Sequence, residues 1–135
     1  IDRTGQLLEL PFPSGKHIDA LSREAAMKET FKVKCNNMEF SLSGVQNKVQ
    51  QFHASHNEPA ETAAYALRCV AKAVYLASEQ AMKAYPGLRI VFSGGVASNS
   101  MLREVIKPLD PIFSQPQYST DNAMGVAVLA YRYQE

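Results

Sequence analysis

Gly94 and Gly95 stand between the apolar run Leu88–Phe92 and a helical pattern that begins near Ser100. A strand that ends in glycines and opens a helix turns backbone N–H groups toward one point, where anions and polar ligands bind. Glycine suits such a point because a Cβ would restrict the turn and keep a ligand away from the backbone. Asn99, the last polar residue before the helix, carries an amide that can cap the helix or face a ligand. The pattern is neither Gly-x-Gly-x-x-Gly nor a phosphate loop with its Lys-Ser/Thr pair. On spacing alone, a tight turn is the commoner explanation.

A second polar turn, Ser119–Asn122, precedes another helical pattern. In an α/β sheet, turns leaving the carboxyl ends of neighbouring strands meet at one edge, and ligands bind in that crevice. Asp121 can cap its helix or bind a metal there; spacing favours the cap, because one carboxylate is not a metal site. His53 and His56 have no Glu or Cys at ligand spacing and read as part of a polar loop. Ser43 and Ser93 offer hydroxyls with no base or orienting acid marked beside them. Asp2 is a lone acid near a helix. Lys28, Lys32, Lys34 and Lys48 are interspersed with polar groups and read as a solvated face.

The elements that would position these residues fit one domain over 1–135, since the 135-residue chain is long enough for one core and short for two. Lys and Arg number 14 against 13 Asp and Glu, so no global field draws the protein to nucleic acid or membrane. No apolar run is long enough to span a bilayer. With no secretory signal visible, the expected compartment is the cytoplasm, with Cys35 and Cys69 reduced and buried. The first residue is Ile1, which suggests a fragment.

In chain order, Leu7, Leu8 and Leu10 suggest a short helix stopped at Pro11. His17 to about Lys28 continues as a second helix, with Ile18, Leu21 and Ala25 at helical spacing. Phe31–Cys35 and Met38–Leu42 alternate around Asn36-Asn37 and predict a β-hairpin with one buried face. Val45 to about Phe52 predicts a short helix, and His53–Pro59 a loop. Ala63, Leu67, Val70, Val74, Ala77 and Ala81 form one stripe of a long helix from Ala60 to Tyr85, small enough to pack closely on a sheet. Leu88–Phe92 reads as a buried strand, Ser100–Lys107 as a helix, Ile112-Phe113 as a strand and Ala123–Tyr133 as a helix. The class is α/β with a mixed sheet flanked by helices.

Taken together, Asp2, Phe12-Pro-Ser-Gly-Lys16, Phe40-Ser-Leu-Ser-Gly44, Ser93-Gly-Gly-Val-Ala-Ser-Asn99 and Ser119-Thr-Asp-Asn122 resemble, in order, the motifs of the TsaD family. These are threonylcarbamoyl-adenosine tRNA transferases, formerly called glycoproteases. The resemblance implies a ribonuclease-H-like lobe of the actin/Hsp70/sugar-kinase fold, the C-terminal lobe of a larger two-lobe protein and inactive alone. It implies that Gly94, Gly95 and Asn99 hold the adenylate of threonylcarbamoyl-adenylate, an adenine nucleotide, and that Asp2 and Gly15 contact the same substrate. Asp121 matches a ligand of a divalent metal of the Fe, Zn or Mg class. Two histidines of a His-x-x-x-His motif in an N-terminal lobe would complete that metal, and His53-Ala-Ser-His56 does not match them.

The implied reaction moves threonylcarbamoyl to N6 of adenosine 37 in tRNA. Expected partners are the N-terminal lobe, tRNA, and family partner proteins or a second copy, with no membrane. Two departures stand out: the family's Ser-Gly-Leu-Lys reads Ser43-Gly-Val-Gln46, and its Pro-Gly-Gly-Pro reads Pro13-Ser-Gly-Lys16. They mark a divergent paralogue and motivate an alternative, a non-catalytic nucleotide-binding or scaffold protein. Peptidase activity is the weakest reading, since no protease constellation can be named.

Overall fold

The long helix predicted from Ala60 is the centre of the molecule, and three other helices are arranged around it. The computed structural model describes residues 1–115 and 123–133. Helices α1 (Asp2–Leu7) and α2 (Gly15–Ser22) lead to a hairpin of β1 (Cys35–Asn36) and β2 (Glu39–Phe40). Helices α3 (Ser43–His56) and α4 (Pro59–Ala84) follow. The chain then forms β3 (Val91–Phe92), a 3₁₀ turn over Gly95–Ser98, α5 (Ser100–Ile106), a second 3₁₀ turn over Lys107–Leu109, β4 (Ile112–Phe113) and α6 (Ala123–Arg132).

Local chemistry sets the limits of α4. Pro59 is its first residue, where the missing N–H has no intrahelical partner to lose. Just before it, Asn57 ends α3 at φ 53°, a left-handed turn that Asn tolerates better than most residues. The reversal therefore takes two residues, and α3 runs on through His53 and His56. The expected polar loop is thus helix. His53 Nδ1 lies 3.0 Å from Thr62 Oγ1 on α4, and the His56 ring stacks on Phe52 at 4.1 Å.

Successive faces of α4 feed three hydrophobic clusters. Tyr65, Ala66, Cys69 and Ala73 pack with Val45, Val49 and Phe52 of α3. Ala63 and Leu67 pack with Ile18 of α2, and Ala71 packs with Leu102 and Ile106 of α5. The small residues therefore admit three helices at close range, where a sheet was expected on one stripe. Alanine removes side-chain bulk without lowering helix propensity, so one helix can be enclosed on several sides.

Helix α2 stops at Ser22, short of the expected Lys28. The Glu61 carboxylate on α4 accepts the N–H groups of Ala26 at 2.7 Å and Met27 at 3.1 Å, fixing this segment outside a helical ladder. At the other end of α2 the helix crosses α1 closely. A Cβ on Gly5 would lie 2.1 Å from the Ser14 hydroxyl, so only glycine permits that crossing.

The predicted mixed sheet is replaced, among the described residues, by two separate pairs. β1 and β2 are antiparallel, with Cys35 opposite Phe40 and Asn36 opposite Glu39. Their two-residue turn is Asn37-Met38, both at positive φ, the geometry that matches strand twist. The expected buried face is incomplete, because Val33 is buried while Phe40 and Leu42 are exposed. β3 and β4 are parallel, with Val91 opposite Ile112 and Phe92 opposite Phe113. Val91 is 62% exposed, contrary to a fully buried strand, because β3 has a neighbour on one side alone among the described residues. The class is α/β with small sheets and mostly helix.

Candidate functional site

Three segments distant in sequence meet at one cavity of about 520 Å³. The start of α1 brings Asp2; the start of α2 brings Gly15, Lys16 and Asp19; the turn after β3 brings Gly95 and Asn99. Four of the five expected substrate-binding residues thus line one cavity. The fifth, Gly94, is not part of it. It shapes the turn instead, at φ 99° and ψ 167°, a conformation essentially confined to glycine. Asp121 lies outside the described residues.

Gly15 and Gly95 differ from Gly94. Neither has a positive φ, and a Cβ built on either meets no heavy atom within 4 Å. Nothing among the described residues requires glycine at these positions. The space beside each backbone is left open toward the cavity, as a ligand lying flat against the chain would need.

Asp2 is aimed by the α1–α2 crossing. Its Oδ1 accepts the Ser14 N–H at 3.2 Å, at the N-cap position of α2. A carboxylate there complements the positive end of the helix dipole. The lining is held together by Asp19, which the sequence did not single out. Its Oδ1 accepts three donors: Asn99 Nδ2 at 2.8 Å, Ser100 N at 2.9 Å and Ser100 Oγ at 2.8 Å. Its Oδ2 pairs with Arg23 at 2.9 Å. The signal available in sequence was its spacing four residues before Arg23, which places both on one face of a helix.

Asn99 performs the cap that its position allowed. Its Oδ1 accepts the Leu102 N–H at 2.9 Å, while Nδ2 is given to Asp19. The side chain is buried, and one acceptor lone pair and one amide hydrogen remain beyond these bonds. The turn is braced from behind by Arg103, whose Nε donates to the Ala97 carbonyl at 2.8 Å and whose guanidinium lies 4.5 Å from the Phe113 ring centroid.

No three His, Cys, Asp or Glu side chains gather as a metal centre among the described residues. Asp2 and Asp19 are already engaged by N–H, O–H and guanidinium donors, which does not suit them to lead a metal shell. His56 does stand 2.9 Å from Ser55 Oγ, but that hydroxyl donates to the Phe52 carbonyl and no carboxylate orients the ring. No helix among the described residues is long and apolar enough to cross a membrane.

A second cavity, about 340 Å³, opens between α1, α3 and α4 over Leu7, Val45, Val49 and Leu67. In its lining the Arg3 guanidinium donates to Gln46 Oε1.

Residues 1–128 match the sequence pattern of one family, TsaD: tRNA N6-adenosine threonylcarbamoyltransferase. The chain is similar to curated proteins described as tRNA N6-adenosine threonylcarbamoyltransferase. One from Carboxydothermus hydrogenoformans is 33% identical over 96% of this chain and 42% of its own length. Another from Streptococcus suis is 30% identical over 96% of this chain and 42% of its own. A third, from Kosmotoga olearia, is 30% identical over 96% and 43% respectively. The chain therefore spans less than half the length of these relatives.

Proposed function

Because this chain belongs to the TsaD family of tRNA N6-adenosine threonylcarbamoyltransferases, we propose that it is the nucleotide-holding part of such an enzyme. The reading is that of a ribonuclease-H-like lobe whose cavity seats the adenylate of threonylcarbamoyl-adenylate. The observation that carries it is the meeting of Asp2, Gly15, Gly95 and Asn99 at one cavity from three separate segments.

Each group has a chemical task in this reading. Asp2 accepts hydrogen bonds from ribose hydroxyls, which a carboxylate does well and an amide does less well. Gly15 and Gly95 let the purine or sugar lie against bare backbone. The remaining hydrogen of Asn99 Nδ2 faces the nucleotide, and Asp19 keeps that amide from turning. The chain's part is binding and orientation, so that adenosine N6 of tRNA is held against the carbamoyl carbon while adenylate departs. The new N–C bond replaces the carbamoyl–phosphate oxygen bond, and the N6 proton is lost. No covalent enzyme nucleophile is needed.

In this reading Asp121 would hold the family's metal together with the two histidines that the resemblance places in an N-terminal lobe. The donor set in the described residues does not form a metal centre.

The test is tRNA modification by the full-length protein, comparing wild type with Asp2→Ala and Asn99→Ala. Activity lost in both supports the assignment, and undiminished activity in both defeats it. A second reading, a nucleotide-binding paralogue without transferase activity, is favoured by Gln46 and Lys16. It predicts adenine-nucleotide binding by a full-length protein that leaves tRNA unmodified.

A further inference from the structure

Lys16 stands in the cavity at a position where the resembled Pro-Gly-Gly-Pro motif has no charge. It follows Gly15 in the first turn of α2 and lines the cavity together with Asp2 and Asp19. Among the described residues it has no ion-pair partner, whereas Arg23 is committed to Asp19. Among the described residues Asp2 has no ion-pair partner either, and it accepts one backbone N–H. Among the described residues the cavity thus presents one ion-paired carboxylate, one carboxylate without an ion partner and one unpaired ammonium.

These charges treat the two ends of a nucleotide differently. Ribose hydroxyls are donors and are welcomed by Asp2. A phosphate is repelled by the same carboxylate, and by Asp19 to the extent that Arg23 leaves it charged. The first N–H groups of α2 have no intrahelical acceptors, and their partial positive charge adds to that of the Lys16 ammonium beside them. A flexible four-carbon stem lets the ammonium reach a phosphate without displacing the glycine it follows.

Resting on the nucleotide reading above, we infer that Lys16 makes this cavity select a phosphorylated nucleoside over the bare nucleoside. It is a specificity residue particular to this chain. Its contribution is to offset the repulsion that Asp2 exerts on the phosphate, while the sugar and base are held without it.

The experiment measures adenosine and AMP binding to the full-length protein by calorimetry, for wild type, Lys16→Gln and Lys16→Arg. Lys16→Gln should weaken AMP about tenfold, as expected for loss of one charge-assisted hydrogen bond, and leave adenosine within about twofold. Lys16→Arg should retain most of the AMP affinity. The wild-type preference for AMP should shrink as salt rises from about 0.05 to 0.5 M, because exposed charges are screened. Equal losses for both ligands, or no loss for AMP, would overturn the inference and leave the nucleotide site standing. Wild-type protein that binds neither ligand would overturn both. Circular dichroism of each variant shows whether the fold is intact, and the exposed position of Lys16 makes a folding defect an unexpected result.

Discussion

Asp19 and Asn99, far apart in the chain, are joined by a 2.8 Å hydrogen bond that fixes the first turn of α5 against the middle of α2. The bond is one of three that converge on a single carboxylate oxygen, so Asp19 acts as the hinge pin of the cavity. Removing it leaves the Asn99 amide and the Ser100 N–H without partners in a half-buried place. Asp19→Ala should cost about 2–3 kcal/mol, the range for stranding donors of a charged acceptor. Urea denaturation measures it. A double-mutant cycle with Asn99→Ala should show that the two losses are not additive, because either change opens the same latch.

Gly94 should separate cleanly from the two cavity glycines, Gly15 and Gly95. Gly94→Ala forces a Cβ into a conformation that side chains avoid and should cost about 1–3 kcal/mol. Gly15→Ala and Gly95→Ala meet open space, so both should keep wild-type stability, and Gly15→Ala in a helical turn gains up to about 1 kcal/mol. In the full-length protein those two should nevertheless weaken adenine-nucleotide binding. A thermal melt paired with a binding titration decides it. Stability lost at Gly95 together with intact binding would mean that the open space serves the fold alone.

Much of the site was legible because turn chemistry is local. Gly94-Gly95 before a helical pattern gave the turn, and Asn99 gave its cap, before any contact was known. Asp19 was not legible, because its partners lie on another helix and an acid on a helix face looks like any other. The same limit explains α4. Its alanines showed that something packs closely, but periodicity cannot say whether the neighbour is a sheet or three helices. His53-Ala-Ser-His56 read as a loop because polar residues dominate it. Tertiary packing overrode that composition, with Phe52 stacking between His56 and Tyr65 to carry the helix one turn further.

The hairpin is tied to the helical body through Gln80. Its Oε1 accepts the Met38 N–H at 2.8 Å, and its Nε2 donates to the Cys35 carbonyl at 3.0 Å. One side-chain amide therefore holds both sides of the turn. Gln80→Ala should cost about 1–2 kcal/mol, the sum of two ordinary hydrogen bonds, and the effect should stay local. Hydrogen exchange at Met38 should accelerate while amides in the middle of α4 remain protected. Uniform acceleration across α4 would show instead that the hairpin is part of one cooperative unit with it.

Alkaline pH should destabilise the fold through Cys69 and Tyr65. Both are buried on α4, and burial raises the thiol of Cys69 and the phenol of Tyr65 above their ordinary ranges, because the charged forms lose water. At Cys69 the raise stands even though the Phe31 N–H, 3.3 Å from the sulfur, favours the thiolate. A folded-state pKa above the unfolded one means that the native state holds its proton longer. The contribution is therefore full below about pH 8.5, where an unfolded thiol is still protonated, and is lost as pH rises through the folded value. Urea midpoints should fall between pH 7 and pH 10, and Cys69→Ala should reduce that fall even though it lowers the midpoint at neutral pH. In the native protein a thiol reagent should label the partly exposed Cys35 and spare Cys69 until urea is added. Equal labelling of both would place Cys69 at the surface and remove the reason for its raised pKa.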